Sequence, residues 1–439
     1  MQINSKYILV DNKKSLELAI VTLATSKIIA IDTESSGYYT YFSKVCLIQI
    51  SGNGKNFIID PMAQIDVKTL NPVFKNPAIL KVFHSAIDDI KALKRDFGFE
   101  FKNIADTMYS SKLLGLEHNS LNYLVEYYHK IFLSKTEQKS NWEKRPLDRH
   151  QLQYAALDTA YLESIWTTMQ TELEKRNLLA EAFSEFEKMA DEPYVAKEVT
   201  NEIHWHKFPN IDKFTPEERR NVCDILQFRD EKAKRMNKAP FRVINNETIE
   251  KIVKKELTED NLITLLGKKD GAELHKILLN PVGPPLEKVD TPKLDYDLKP
   301  EEETLFKNLR KWRDRIMKKR NIDHTMLLSN KNLILIIRSN VKNLDDLRKL
   351  SLMSEWKVLY YGPSILKALK NENYEDLLTN LVPLNRVKRT KKPEPQKQKS
   401  NGQKPKEVKT VEPKEKVIEE AEKNEVLEES PKDPSENSV

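Results

Sequence analysis

Ile28-Ile29-Ala30-Ile31-Asp32-Thr33-Glu34 decides the fold. Four apolar, mostly β-branched residues predict a buried strand. Two acids close it at i and i+2. Side chains alternate along a strand, so Asp32 and Glu34 share one face. Neighbouring carboxylates on a buried strand repel each other and lose hydration, a cost that a divalent cation relieves. A strand end that meets solvent accommodates the same pair without a metal, so D-x-E alone is a weak signal.

Working outward, Val45–Ile50 and Phe57–Ile59 are further strands, joined by the hairpin turn Ser51-Gly52-Asn53-Gly54-Lys55. Val82-Phe83-His84 and Asn103–Asp106 are two short strands, and helical patterns cover Ala86–Phe97, Thr107–Leu116, Ser120–Lys130 and Asp148–Leu173. Three opening strands followed by alternating helices and strands fit a ribonuclease-H-like mixed sheet flanked by helices. Two more acidic signals lie on these elements. Asp89 falls one turn into the helix after Phe83-His84, where first-turn acids are also favoured by the helix dipole alone. Tyr154 and Asp158 face the same way at i, i+4 on a helix whose Ala155, Ala156 and Leu157 predict burial. A buried Asp needs a partner or a metal, and a Tyr–Asp hydrogen bond between helices meets that need too.

Taken jointly, Asp32-x-Glu34, Asp89 after Phe-His, and Tyr154-xxx-Asp158 resemble the four-acid-plus-tyrosine 3′→5′ exonuclease family, and within it ribonuclease D and the nuclear exosome exonuclease. Val45–Ile50 is similar to the family's second strand, and Arg95–Gly98 through Ala105–Thr107 to its link after the second motif. Lys139-Ser140-Asn141-Trp142-Glu143-Lys144-Arg145-Pro146-Leu147 resembles its K-S-D-W-x-x-R-P-L loop, with Asn141 and Glu143 departing from the pattern. The resemblance implies two divalent cations, Mg²⁺ or Mn²⁺, about 4 Å apart. Asp32, Glu34 and Asp158 would hold one, and Asp32 with Asp89 the other. Tyr154 would orient or help deprotonate the attacking water, and His84 is placed as a structural or substrate-contacting residue. The implied products are nucleoside 5′-monophosphates released from RNA 3′ ends, with tRNA precursors as the family's usual substrate. A DNA exonuclease on the same fold and a non-catalytic RNA-binding protein are the alternatives. No P-loop, GxGxxG or GxSxG motif occurs, so no small-molecule cofactor is expected.

Domain boundaries follow from composition and an internal repeat. The resemblance covers residues 1–175, which would be the exonuclease domain, and 176–209 read as a helical connector. Shifting the chain by 84 residues superposes Arg229-Asp230 on Arg313-Asp314, Lys234 on Lys318, Asn237 on Asn321, Asn246 on Asn330 and Phe228 on Trp312. Residues 210–290 and 291–385 therefore read as duplicated all-α modules that resemble HRDC (helicase and RNase D C-terminal) domains. Lys311, Arg313, Arg315, Lys318, Lys319 and Arg320 supply candidate RNA phosphate contacts. Residues 386–439 turn Lys/Pro/Gln-rich and then acidic, which predicts a disordered tail, either merely solvated or touching RNA phosphates. The whole chain has 439 residues, 32% of them charged, and a net charge of +6. It contains no transmembrane-length apolar run and no signal-peptide pattern at its start. Cys46 and Cys223 are its only cysteines, with no zinc spacing, and a reducing cytoplasm is expected.

Overall fold

The protein is described here by a computed structural model covering residues 6–133, 136–195, 203–288, 298–322, 324–379, 381, 383 and 384. The tail expected at 386–439 lies outside the described residues, as does part of the connector at 196–202. The chain opens with strand β1 (Ile8–Val10) and helix α1 (Lys13–Ala24), two elements additional to those expected. Strands β2 (Ile28–Ser35), β3 (Val45–Gly52) and β4 (Lys55–Ile59) then run antiparallel in succession. The β3–β4 turn is made by Asn53 and Gly54, with φ of 48° and 73°, the two-residue geometry that matches strand twist. Next come α2 (Asn71–Lys75), β5 (Leu80–Phe83), α3 (Ala86–Phe97), β6 (Ile104–Asp106), α4 (Thr107–Leu113) and α5 (Leu121–His129). One sheet results, ordered β1-β4-β3-β2-β5-β6. The β1–β4, β2–β5 and β5–β6 pairs are parallel, giving the mixed, ribonuclease-H-like sheet that was expected.

Strand alternation divides the sheet's packing. Ile29, Ile31, Ile48, Ile50, Phe57 and Ile59 enter the main core together with Leu16, Ala19 and Leu23 of α1. Leu47 and Ile58 instead form a second cluster with Trp142, Ala155 and Ala156. The alanines belong to α6 (Arg149–Ala160), which is followed by α7 (Leu162–Lys175) and α8 (Leu179–Asp191). The single helix expected over 148–173 is thus two, broken at Tyr161 without a glycine or proline to announce it. Helix α8 joins the main core through Ala182, Phe186 and Ala190.

The 84-residue offset is visible in the helices. The first module contains α9 (Pro216–Met236), α10 (Pro240–Val243), α11 (Asn246–Val253), α12 (Glu259–Leu266) and α13 (Lys268–Leu279). The second contains α14 (Pro300–Arg320), α15 (Asn330–Arg338), α16 (Leu344–Lys349) and α17 (Glu355–Leu369). Helices α9 and α14 each have 21 residues, begin with proline, and end on a left-handed asparagine, Asn237 or Asn321. In both, an arginine donates from Nη1 to the carbonyl two residues ahead of the next repeat helix: Arg229 to Ile244 at 3.2 Å, Arg313 to Leu328 at 2.9 Å. Each module has its own apolar core, with Phe228 in one and Trp312 in the other. Among the described residues no helix is long and apolar enough to cross a membrane.

These helices correct part of the basic RNA-contact set. Leu309, Trp312, Ile316 and Arg320 lie on the buried stripe of α14, and Arg313 is buried beside them. Arg313 is occupied by the Leu328 carbonyl. Arg320 makes a two-pronged pair with Glu181 of α8, both bonds 2.8 Å, and donates to the Tyr361 hydroxyl at 2.6 Å. Neither arginine is available to a phosphate. Because the Arg320–Glu181 side chains are 2% and 3% exposed, Arg320→Ala strands a buried carboxylate and should cost about 3–5 kcal/mol of unfolding free energy. Exposed Lys318→Ala should stay within about 0.5 kcal/mol. Chemical denaturation midpoints of the two variants check both values.

Candidate active site

Helix α6 assembles the site by crossing the face of β2 that carries Asp32 and Glu34. Its start is fixed by Asp148, which accepts from the Gln151 amide at 2.9 Å while the Gln151 side chain accepts from the Asp148 amide. Ala155 and Ala156 are small enough to lie flat on the sheet, and Ser51 and Thr159 hydroxyls bond across the interface at 2.6 Å. Asp158 thereby reaches the strand acids. Carboxylate oxygens of Asp32, Glu34 and Asp158 all lie within 4.8 Å of one another. Directly opposite Asp32 in register is Gln49 of β3, fully buried, its amide lacking a hydrogen-bond partner among the described residues.

Asp89 approaches from α3. The Thr33 hydroxyl, on the opposite side of β2 from Asp32, donates to it at 2.5 Å. The position of α3 is set by a further acid, buried Asp106. One Asp106 oxygen accepts from the Ala86 amide at 2.6 Å and the other from the Tyr109 amide at 2.7 Å. A single carboxylate thus caps both α3 and α4. Ser85, at φ 70°, turns the chain from β5 into α3. His84, beside it, bonds through Nδ1 to the Thr107 hydroxyl at 2.9 Å, and Thr107 donates to the Phe83 carbonyl. Burial holds the imidazole at about 4, so it is neutral near pH 7. His84 is a strut of this corner, carries no charge for RNA, and stands outside the three-acid cluster.

Tyr154 shares a hydrogen bond with Asp158, and its ring leans on buried Trp142 at a centroid distance of 6.1 Å. Trp142 belongs to the 139–147 loop, which Arg145 pins in place. The guanidinium forks onto Asp60 at 2.6 and 2.7 Å and also donates to the Cys46 and Trp142 carbonyls. The two departures from the family loop are accommodated locally: Asn141 accepts from the Glu143 amide, and Glu143 pairs with Lys44 at 2.6 Å. Thr33, Gln49 and Asp106 are contributors that the sequence did not reveal. Thr33 lay within the quoted motif and Asp106 headed a helix, which is a usable capping signal; Gln49 carried none beyond its place in an apolar strand.

The electrostatics are one-sided. Burial first, and Asp158 second, hold the Asp32 carboxyl well above the usual range. Burial raises Glu34 likewise, with Asp32, Asp158 and Asp89 adding to it. Asp89 is raised by burial and by Asp32, against the lowering effect of Thr33. Asp158 is pushed by burial to about 7, with the Tyr154 hydrogen bond opposing. Tyr154 is raised by burial and by Asp158, so its hydroxyl keeps its proton. None of the four acids forms an ion pair with a basic side chain among the described residues. An all-oxygen, negatively charged, largely buried set of this kind fits a hard divalent cation.

Of the basic α14 residues, Arg315 and Lys319 are both tied to Glu375, at 2.7 and 3.1 Å. Lys311 and Lys318 remain exposed. Lys311 lines a groove of about 390 Å³ with Phe306, Lys307 and Arg310.

Residues 7–174 match the 3′–5′ exonuclease family model, and residues 302–369 match the HRDC domain model. The chain therefore carries a 3′–5′ exonuclease domain followed by a helical HRDC domain; the first module shares the second's helix plan. The exosome complex exonuclease RRP6 of Saccharomyces cerevisiae is 30% identical over 280 residues, 61% of this chain and 38% of that protein. The exosome complex component 10 homolog of Caenorhabditis elegans is 38% identical over 180 residues, 40% of this chain and 20% of that one. The chain thus spans well under half the length of these relatives. Among solved structures, the catalytic core of RRP6 from Trypanosoma brucei aligns with a TM-score of 0.57 at 24% identity, covering 64% of this chain and 81% of that one. Escherichia coli RNase D aligns with a TM-score of 0.54 at 21% identity, covering 85% and 98%. At these identities both structures share the fold.

The raised carboxyls make stability depend on pH in a definite direction. Between the ordinary carboxylate range and about 7, the value for Asp158, the four raised carboxyls bind more protons in the folded protein than in the unfolded chain, and they outnumber His84, whose lowered value acts in the opposite direction. Stability therefore falls as pH rises through that window. In chelator, the melting temperature should drop between pH 5 and 8, and Asp158→Asn should flatten the drop. Millimolar Mg²⁺ or Mn²⁺ should raise the melting temperature more at pH 8 than at pH 5. Melting curves at the two pH values, with and without metal, read out all three effects.

Proposed function

We propose that this protein is a metal-dependent 3′→5′ exoribonuclease that shortens RNA one nucleoside 5′-monophosphate at a time. The observation that carries this is the unneutralised cluster of half-buried Asp32 and Glu34 with buried Asp158, set in a domain that matches the exonuclease model. In this reading Asp32, Glu34 and Asp158 hold one divalent cation, and Asp32 with Asp89 holds a second. Such ions, Mg²⁺ or Mn²⁺, supply Lewis-acid stabilisation of the phosphate and a more acidic water. The remaining work belongs to side chains of the chain itself. Tyr154 is placed beside Asp158 to orient the attacking water by hydrogen bonding or to help deprotonate it. Trp142 backs the tyrosine ring, and Thr33 fixes the rotamer of Asp89.

RNA is favoured over DNA by the loop at Lys139–Leu147 and by the order of exonuclease domain and helical modules. The substrate class is the 3′ ends of stable RNA, tRNA precursors among them, processed in a reducing compartment such as the cytoplasm, in keeping with two unpaired cysteines. Ribonuclease D describes the reaction type. Sequence relatives named for an exosome complex are the reason the proposed substrate range is kept broader than tRNA.

Digestion of matched single-stranded RNA and DNA, resolved by product length, should show stepwise loss from the RNA 3′ end that stops on chelation. Asp32→Asn and Asp158→Asn should fall to background while melting as folded proteins. Tyr154→Phe should lose about 100-fold or more in rate with metal binding retained. Internal cleavage, or turnover that persists without metal, rules the reading out; equal turnover of DNA would replace RNA with DNA as the substrate.

A further inference from the structure

The segment that leaves the catalytic strand, Ser36–Ser43, carries Tyr38, Tyr39, Tyr41 and Phe42. It is closed on itself: the Ser36 and Lys44 backbones bond at 3.0 Å, the Tyr39 and Thr40 amides donate to the Ser36 carbonyl, and the Ser36 and Thr40 hydroxyls bond at 2.7 Å. It is also clamped by the first helical module. The Ala239 amide donates to the Tyr39 carbonyl at 2.9 Å, Arg242 Nε to the Tyr38 carbonyl at 2.8 Å, and the Phe42 amide to Asn237 Oδ1 at 3.0 Å. Tyr41 donates to Asp230. From the other side, Tyr39 donates its hydroxyl proton to the Lys139 carbonyl.

These bonds bring together aromatic faces from separate parts of the chain. Tyr38 and Phe241 meet at a centroid distance of 5.0 Å yet stay 40% and 42% exposed. The Arg242 guanidinium lies 3.6 Å from the Tyr39 ring centre and 5.0 Å from that of Tyr38, and the Lys139 ammonium lies 5.9 Å from the Tyr38 ring. Neither Arg242 nor Lys139 forms an ion pair among the described residues. An exposed pair of rings, held by backbone bonds and bordered by unneutralised cations, has the composition of a surface that takes unpaired bases and their phosphates. Tyr38 is four residues beyond Glu34, so at most about 14 Å of chain separates it from the acids.

We propose that Tyr38 and Phe241, flanked by Arg242 and Lys139, form a stacking platform for unpaired nucleotides of the RNA strand whose 3′ end occupies the acid cluster. The first helical module is then part of the substrate path: it supplies one ring, one cation and the clamp on the loop. This rests on the exoribonuclease function proposed for the acid cluster. Stacking requires exposed base faces, so the platform engages single strands and leaves blunt duplexes unrecognised.

The test uses the full chain and two substrates. A fluorescein-labelled 12-nucleotide single-stranded RNA reports binding by anisotropy in chelator, and digestion with metal present. A p-nitrophenyl ester of a nucleoside 5′-monophosphate reports the chemistry without any upstream base. Tyr38→Ala and Phe241→Ala should each weaken binding of the single strand about 5- to 150-fold and raise KM on it. Both should leave ester hydrolysis and affinity for a blunt RNA duplex unchanged. Tyr38→Leu, which retains apolar packing, should melt like the parent and still lose affinity, whereas Tyr38→Trp should retain it. Parental affinity in Tyr38→Leu and Phe241→Ala overturns the platform, as does an equal loss on the blunt duplex, which would mark a general electrostatic effect. If the parent protein itself hydrolyses neither RNA nor the ester, the exonuclease function fails, a result distinct from either of these.

Discussion

Three carboxylates that lie within 4.8 Å of one another, without a basic partner, are the constraint around which this protein is built. Left to themselves, Asp32, Glu34 and Asp158 would move apart or draw in water, because burial and mutual repulsion both oppose their charged forms. The scaffold denies them both exits. Asp32 and Glu34 sit on β2, an interior strand that pairs with β5 through Ala30 and with β3 along the acids themselves, so the backbone beneath them is held in the sheet. Asp158 sits on a helix pressed onto the sheet through alanines and the Ser51–Thr159 bond. Asp89 is held by Thr33 from the same strand. The cost is met by packing elsewhere, in the apolar clusters on the two faces of the sheet, and the result is a site prearranged for a cation.

That constraint also explains what could be read from the sequence. An apolar run ending in D-x-E signals its strand and its face within seven residues, its chemistry emerges once Asp89 and Tyr154-xxx-Asp158 join it, and the Asn53-Gly54 turn signals the hairpin beside it. Helix α6 was legible for the same reason: acids and small residues at helical spacing have few bland explanations when they recur together. Elements without a chemical signature were harder. Strand β1 has three residues and pairs only at the edge, with β4. The break at Tyr161 has no glycine or proline to mark it. Asp106 and Gln49 derive their significance from residues far away in the chain, since a cap on two helices and an amide opposite an acid are properties of the assembled sheet.

The basic residues of α14 show the opposite error, in which composition was legible but orientation was not. Six cations within ten positions of a helix cannot all face solvent, and the period of 3.6 decides which do. Trp312, Ile316 and Arg320 fall on the buried stripe, so Arg320 is captured by Glu181 instead of being offered to RNA. Charge density along a sequence describes a helix averaged over its circumference; a binding surface is a statement about one side.

The duplication gives this point its widest consequence. Both modules keep the long first helix, the left-handed asparagine at its end and the arginine that closes onto the next helix, because these features hold the module itself together. What differs is the use made of the end of the first helix. In the second module its last residue, Arg320, is buried against α8 with 2% of its side chain exposed. At the equivalent position of the first module stands Met236, 49% exposed, and contact with the exonuclease domain passes instead to Asp230, Asn237 and Arg242, which hold the loop leaving β2. One copy is joined to the catalytic domain through a buried ion pair remote from the acids in sequence. The other is joined to the segment that continues the catalytic strand itself. Difference at a few positions on one helix end, with the internal plan kept, is enough to give two modules of like helix plan different contacts in the same chain.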